Sequence, residues 1–241
     1  MGPRPASIQA MVEYLCSGSA AERTASLKVL ARTLVRAGEV EEAVAATIVD
    51  AGGIPPLLEA LERPDDAFSA AAVLVVLTSG GHKAAVADAG GTPALAGALA
   101  SSDGGTVECA VRALHNLLVG DGVTGAKGEL HEAGLIPAVV RCLSVPQAAA
   151  TAASALCTLA EGSPARSAAI VAACGAHGLV PLTQEAASDE AKACAAVALA
   201  ILAIQGQPAR HCRRRPHQRR GPRAAVVPGH RPAPSSLASC P

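Results

Sequence analysis

A short motif occurs four times in the chain, and this internal repetition limits the possible folds more than any other property of the sequence. The copies begin at Asp50, Asp88, Glu132 and Ala176, and each has Gly in third place and Pro in sixth place. The four prolines are 38, 44 and 44 residues apart. A weaker fifth copy leads the chain, because residues 8–15 match residues 54–61. A period of about 40–47 residues is typical of two or three helices that stack into a solenoid.

Each copy contains the signals for two successive helix boundaries. Gly can adopt the left-handed conformation after a helix C-terminus, and Pro three residues later suits the first turn of the next helix. A brief apolar helix and a polar turn follow, the turns lying at residues 64–66, 101–103 and 188–189. Asp and Ser in these turns are good N-caps. A longer third helix comes next, with apolar residues at helical spacing, as in Ala110, Ala113, Leu114, Leu117 and Leu118.

Composition supports helices rather than strands. Half of the 241 residues are hydrophobic but only 1% are aromatic, and strands favour aromatic and β-branched residues. One short unit cannot bury its apolar faces alone, whereas several stacked units can. The sequence therefore predicts an all-α domain over residues 6–206. It contains about five units, at residues 6–53, 54–91, 92–135, 136–179 and 180–206.

The motif Ala-Gly-[Gly/Leu]-Ile-Pro, together with Ala-Leu-His-Asn-Leu at residues 113–117, resembles the armadillo repeat. The resemblance covers roughly residues 6–206. It implies a right-handed α–α superhelix whose third helices line a concave groove. In armadillo proteins similar to this chain, an Asn on the third helix hydrogen-bonds the backbone of an extended peptide.

The resemblance identifies candidate groove residues. Alignment of the third helices by a Leu near their C-terminal ends makes Val29, Val76, Asn116, Thr158 and Ile201 equivalent, and Asn116 is the only Asn in the chain. One turn earlier lie Ala25, Ala72, Arg112, Ser154 and Val197, and Glu108 is placed to pair with Arg112 at i, i+4. The predicted partner-binding groove is Val76, Glu108, Arg112, Asn116, Ser154, Thr158, Val197 and Ile201. The alternative is an ordinary solvated helix face.

The resemblance favours a non-enzymatic scaffold that binds a protein or peptide. One alternative is the substrate-recruiting armadillo region of plant-type U-box ubiquitin ligases. The chain contains no U-box of about 70 residues, so that alternative makes it a fragment or a relative without this part. Another alternative is a nuclear-transport adaptor. Nuclear-import armadillo receptors carry Trp one turn before the Asn, and the chain has no Trp.

Other classes of function lack sequence support. We expect no metal, cofactor, small-molecule substrate or catalytic residue, because metal-ligand pairs, Walker loops and nucleophile elbows do not occur. The longest uncharged apolar run, residues 193–204, is well short of the roughly 20 residues of a membrane span. The first 206 residues carry a formal charge of −8, which disfavours nucleic acid. Six scattered cysteines there predict buried free thiols in a reducing compartment. The expected location is the cytoplasm, with the nucleus as an alternative.

The last 35 residues differ from the rest, since they carry eight Arg and no acidic residue. Residues 207–241 are predicted to be a disordered, Arg/Pro-rich tail. A basic segment in it resembles a nuclear-localisation or nucleic-acid patch, namely Arg213, Arg214, Arg215, Arg219 and Arg220. One alternative is a disordered tail without a signal, and another is that these residues are translated from a shifted reading frame. The preceding helix has an apolar face without a following unit, which predicts self-association, a covering tail or a truncated array.

Overall fold

The computed structural model describes residues 5–36, 42–119, 135–161, 163–184 and 188–205, whose secondary structure is helical. The helices are α1 (Pro5–Ser17), α2 (Ala20–Arg36), α3 (Glu42–Asp50), α4 (Ile54–Ala60), α5 (Pro64–Ser79), α6 (Lys83–Asp88), α7 (Gly91–Ala98), α8 (Gly104–Leu118), α9 (Leu135–Cys142), α10 (Ala149–Ala160), α11 (Pro164–Ala172), α12 (Gly175–Gln184) and α13 (Asp189–Ile204). The prediction of an all-α fold is confirmed for this part of the chain.

The helices form repeated triplets. Three complete triplets are α3–α5, α6–α8 and α11–α13, while α1–α2 and α9–α10 supply the second and third helices of two further units. The third helices α2, α5, α8, α10 and α13 pack side by side in chain order, and second helices also contact each other, α4 against α7 and α9 against α12. The core therefore runs continuously along the array rather than forming a separate centre in each unit.

Equivalent positions of the third helices have equivalent environments. The Leu by which the third helices are aligned is buried in all five cases: Leu30, Leu77, Leu117, Leu159 and Leu202. A second column, fully buried, is Ala70, Ala110, Ala152 and Ala195. The small Ala side chains leave room for neighbouring helices to approach closely, and close packing then supplies most of the contact energy. These columns confirm the alignment of the third helices.

The turn between the first and second helices follows the predicted geometry in two units. Gly52 and Gly90 have positive φ angles of 72° and 81°, which Gly adopts without steric cost. The next residues, Gly53 and Gly91, pack so closely on the preceding helix that a Cβ would meet Ile48 or Val86 respectively. Each motif therefore needs two glycines for different physical reasons.

The fourth copy of the motif is shifted by four residues relative to the prediction. The left-handed residue is Cys174, with φ 62°, and Gly175 packs against Ile170 as Gly53 packs against Ile48. Pro181 therefore lies inside α12 rather than in its first turn. The predicted unit boundary between residues 179 and 180 falls inside the same helix. The prediction was wrong because it relied on the proline, whereas the close glycine contact defines this turn.

The N-caps are confirmed for two of the three polar turns. Asp103 accepts hydrogen bonds from the Thr106 backbone N–H and hydroxyl, at 2.8 and 2.6 Å. Ser188 accepts from the Ala191 N–H at 3.2 Å. The third turn differs, because α5 starts at Pro64 after Arg63, which makes no side-chain cap. Asp66 instead accepts a hydrogen bond from Arg63 Nε at 2.8 Å.

Three further predictions concern the cysteines, a membrane span and the basic tail. Of the six cysteines, Cys142 is buried, whereas Cys16 and Cys174 are exposed, so the prediction of buried thiols is wrong for these two. In the part of the chain that the structure describes, no single helix is long and apolar enough to cross a membrane, although two bent helix pairs together reach the length and composition. The basic tail lies outside the described residues.

We expect Gly91→Ala to destabilise the chain, because the new Cβ would lie 2.5 Å from the Val86 carbonyl oxygen. The strain should lower the free energy of unfolding by about 1–3 kcal/mol. Gly97→Ala, in the same helix, is the matched control, since nothing lies within 4 Å of its Cβ position. That control should gain roughly 0.5–1 kcal/mol from helix propensity. Urea denaturation measures both, and equal midpoints would contradict the close-contact explanation.

The cap of α8 should make stability depend on pH. Hydrogen bonds from the side chain and backbone of Thr106 lower the pKa of Asp103. Its charged form therefore stabilises the fold above the unfolded-state pKa of about 4, and this contribution decreases as pH falls through the folded-state pKa. We expect Asp103→Ala to cost about 1 kcal/mol at pH 7 and less in acid. Asp103→Asn is the control, because its side chain can still cap the helix but does not titrate. Unfolding curves across pH test this, and a pH-independent loss in Asp103→Ala would argue against it.

Candidate protein-interaction surface

One face of the third-helix layer contains all eight predicted groove residues. We call it the third-helix face and define it by three successive turns at i, i+4 spacing. The first turn is Ala21, Phe68, Glu108, Ala150 and Ala193; the second is Ala25, Ala72, Arg112, Ser154 and Val197; the third is Val29, Val76, Asn116, Thr158 and Ile201. Because α2, α5, α8, α10 and α13 are neighbours in this order, these turns form three rows across the array.

Most of the predicted residues reach the surface of this face. Arg112 and Val197 are exposed. The half-buried members are Glu108, Asn116, Ser154, Thr158 and Ile201. Val76 is a correction, because its side chain is only 8% exposed and cannot serve as a contact surface. The side chain of Asn116 extends from α8 over this turn of α5, between residues 75 and 78.

Asn116 is engaged within the fold. Its Nδ2 donates to the Val75 carbonyl oxygen at 3.4 Å and to Thr78 Oγ1 at 3.3 Å. Thr78 is fully buried, and its hydroxyl donates in turn to the Leu74 carbonyl at 2.8 Å. The amide therefore links α8 to α5, which sequence reasoning did not anticipate. Its Oδ1 accepts no hydrogen bond from the described residues and is the side of the amide that a partner could use.

The polar centre of the face carries no net charge. Arg112 Nη2 donates to Glu108 Oε1 at 2.5 Å, and these two are the only ionisable residues among the three rows. Thr158 donates to the Ser154 carbonyl at 3.2 Å, and Ser154 Oγ lies 3.5 Å from His115 Nε2. A long-range electrostatic attraction for a strongly charged peptide is therefore not built into this face.

Titratable groups beside the face are held neutral. Burial, and then the charge of Lys83, lowers the pKa of His115. Burial raises the pKa of the Cys109 thiol, and burial together with Glu161 raises that of Cys157 to about 11. These thiols are protonated at neutral pH and therefore lack the thiolate that a nucleophile needs. In the described part of the chain no cluster of His, Cys, Asp or Glu could hold a metal ion.

Phe68 is the residue of this face that sequence reasoning missed. It is the only Phe in the chain, and its side chain is 51% exposed. A Cβ at Gly105 would lie 3.1 Å from the Phe68 ring, so the ring rests on the first turn of α8. The signal was present in the sequence, because Phe68 precedes Ala72 and Val76 at i, i+4 spacing and is equivalent to Glu108.

Comparisons with solved structures define the fold. An engineered protein is 27% identical, with a TM-score of 0.71 over 83% of this chain and 81% of that one. A designed armadillo repeat protein in complex with the peptide (KR)4 is 19% identical, with a TM-score of 0.69 over 82% of each chain. An armadillo-repeats-only protein from Plasmodium falciparum is also 19% identical, with a TM-score of 0.69 over 82% of this chain and 92% of that one.

The chain has the armadillo-repeat fold. The predicted right-handed α–α superhelix is confirmed by this similarity, whereas the concave placement of the third-helix face stays a prediction. No protein-family model matches the sequence, and no curated protein matches it. Likeness to the armadillo arrays of plant U-box proteins stays a prediction.

Two clefts of the armadillo array lie at the N-terminal ends of third helices, and Ala150 of the third-helix face lines the second of them. They have volumes of about 440 and 560 Å³ and occupy equivalent places, where second helices of adjacent units turn into third helices. Leu61 and Pro64 line the first, and the equivalent Leu143 and Pro146 line the second. Both are a consequence of repeat geometry, since short helices meet longer ones at this edge. Neither contains a pair of charged groups that would orient a ligand.

The Asn116 contact gives a stability prediction. We expect Asn116→Asp to lower the free energy of unfolding by roughly 1–3 kcal/mol, because a carboxylate cannot donate to the Val75 carbonyl and repels it. Thr158→Val is the matched control at the equivalent position, since its hydroxyl bonds only within its own helix. Thermal unfolding followed by circular dichroism distinguishes them. Equal losses would show that the α8–α5 link contributes nothing specific.

Proposed function

We propose that the chain is a non-enzymatic scaffold that binds an extended peptide or a partner domain on the third-helix face. The observation that carries the proposal is Phe68, a large apolar side chain held half-exposed beside the Glu108–Arg112 pair. Aromatic residues and Arg are the types most enriched at the centres of protein interfaces. The designed armadillo protein in complex with (KR)4 supports peptide binding as a use of this fold.

The arrangement of the face suggests how a peptide would be held. Rigid helices fix the side chains before binding, so little conformational entropy is lost on association. Asn116 Oδ1 and the Ser154 hydroxyl offer polar atoms to a peptide backbone, while Phe68 and Val197 offer apolar contact. Because Arg112 and Glu108 neutralise each other, the proposed partner segment has an apolar anchor and no large excess of charge.

Protonated thiols, and an imidazole without a carboxylate to orient it, support a binding role over a catalytic one. Cys109 and Cys157 are protonated, and His115 has no carboxylate partner within the described residues. Partner selection would therefore depend on shape and hydrogen bonding. No contact in the described part of the array favours the U-box or nuclear-transport alternatives. A cytoplasmic location, with the nucleus as an alternative, belongs to the same proposal.

Selection from a random peptide phage library against the whole chain tests this function. Selected peptides should bind Phe68→Asp at least tenfold more weakly, because the charge replaces the apolar anchor, and Arg112→Ala should also weaken them. Val180→Asp is the matched control, since Val180 is similarly exposed, at 43%, but lies on α12. Isothermal titration calorimetry gives the affinities, and circular dichroism checks folding. Peptides that bind Phe68→Asp and Val180→Asp equally well would refute binding at this face.

A further inference from the structure

The last helix of the described residues, α13, repeats a packing surface that the other third helices bury. We call it the terminal stacking face and define it as Lys192, Ala196, Leu199 and Ala203 of α13. The equivalent residues of α5, α8 and α10 are all buried, mostly by the next third helix: Ala67, Ala71, Leu74 and Thr78; Val107, Val111, Leu114 and Leu118; Ala149, Ala153, Leu156 and Ala160. In α13, Ala196 and Ala203 are exposed, and Lys192 and Leu199 are half-buried. No helix covers this face within the described residues.

The face continues an established interface, and one residue restricts what can cover it. Positions equivalent to Lys192 are occupied by Ala67, Val107 and Ala149, all buried. Another third helix stacked in the same parallel direction would bury the Lys192 ammonium among apolar groups. An unpaired buried charge is strongly unfavourable. The charge therefore argues against a parallel occupant, although the remainder of the face is apolar.

An antiparallel helix removes this conflict. In that orientation Lys192 lies beside the C-terminus of the covering helix, where free carbonyl groups carry a partial negative charge and favour a cation. The present partner of Lys192 is Asp189, at 3.4 Å and fully exposed, which is a weak and replaceable contact. Ala196 and Ala203 are small enough for two helix backbones to approach closely.

A second copy of α13 meets these requirements. When the two-fold axis is perpendicular to the helices, two α13 helices related by it are antiparallel, and each Lys192 then faces the C-terminus of the other helix. The opposite end of the array is a poor alternative, because the exposed surface of α2 carries Glu22, Lys28 and Arg32. Covering those charges with an apolar helix would desolvate them without pairing.

We propose that the chain forms a two-fold dimer in which the terminal stacking faces of two α13 helices pack antiparallel. This inference is independent of peptide binding, since the dimer contact involves the terminal stacking face of α13 and not the third-helix face. A dimer of this form would place two third-helix faces in one assembly and so present two copies of the peptide site. Two linked sites raise the effective affinity for a partner that carries two binding segments.

Sedimentation equilibrium of the full chain over a range of concentrations tests the dimer. We expect a monomer–dimer equilibrium, and Ala196→Glu should weaken it at least tenfold, because the larger side chain prevents the close approach of the two helices. Ala168→Glu is the matched control, because Ala168 is also exposed but lies on α11 of the same unit. A wild-type chain that stays monomeric at every concentration would overturn the proposal. Dimers equally stable in Ala196→Glu and Ala168→Glu would do the same.

Cross-linking tests the antiparallel orientation. Lys192→Cys and Ala203→Cys variants of the full chain are mixed and oxidised, and mass spectrometry identifies the linked peptides. We expect disulfides between position 192 of one copy and position 203 of the other, because an antiparallel pair brings their Cα atoms within bonding range of about 4.4–6.8 Å. Links that join 203 to 203, which form between two copies that both retain Lys192, would show a parallel pair and overturn the proposed arrangement.

Discussion

Burial of apolar surface between neighbouring third helices is the interaction on which the remainder of the array depends. The apolar side chains are mostly Ala, Val and Leu, and no single unit encloses enough of them to be stable. Columns such as Ala70, Ala110, Ala152 and Ala195 are fully buried only because another helix covers them. Every other feature follows from keeping these helices in register, including the two-glycine turns that set the angle between first and second helices.

The same requirement shapes the candidate binding face. Asn116 extends back to α5 and donates to Val75 and Thr78, so a residue type that reads peptides in armadillo proteins also ties two units together here. Its remaining acceptor and the neighbouring Glu108–Arg112 pair leave a face that is polar but uncharged overall. Phe68 is held on the start of α8. Stacking and the proposed recognition thus share Asn116, and we expect a change at this residue to alter both.

Sequence reasoning located the helices and their register well because the relevant signals are local and repeated. The Leu columns, the caps at Asp103 and Ser188, and the left-handed Gly52 and Gly90 all depend on residues close in the chain. The fourth motif failed because Pro181 imitates a local signal that the actual turn, at Cys174 and Gly175, does not use. Val76 was wrongly assigned to the groove because its position along α5 is equivalent to that of Asn116 in α8, whereas its burial depends on the neighbouring helix α8.

The amino-acid sequence alone determined the repeat period, most helix boundaries and the equivalent positions of the third helices, because these properties arise from local conformational preferences and spacing. Exposure along those rows was decided by tertiary packing. Phe68 and Val76 lie on the same side of α5, two turns apart, yet Val76 is buried and Phe68 is half-exposed, because neighbouring units cover each turn differently. The partners of Asn116 and the open face of α13 likewise depend on which helix lies alongside, which no local pattern specifies.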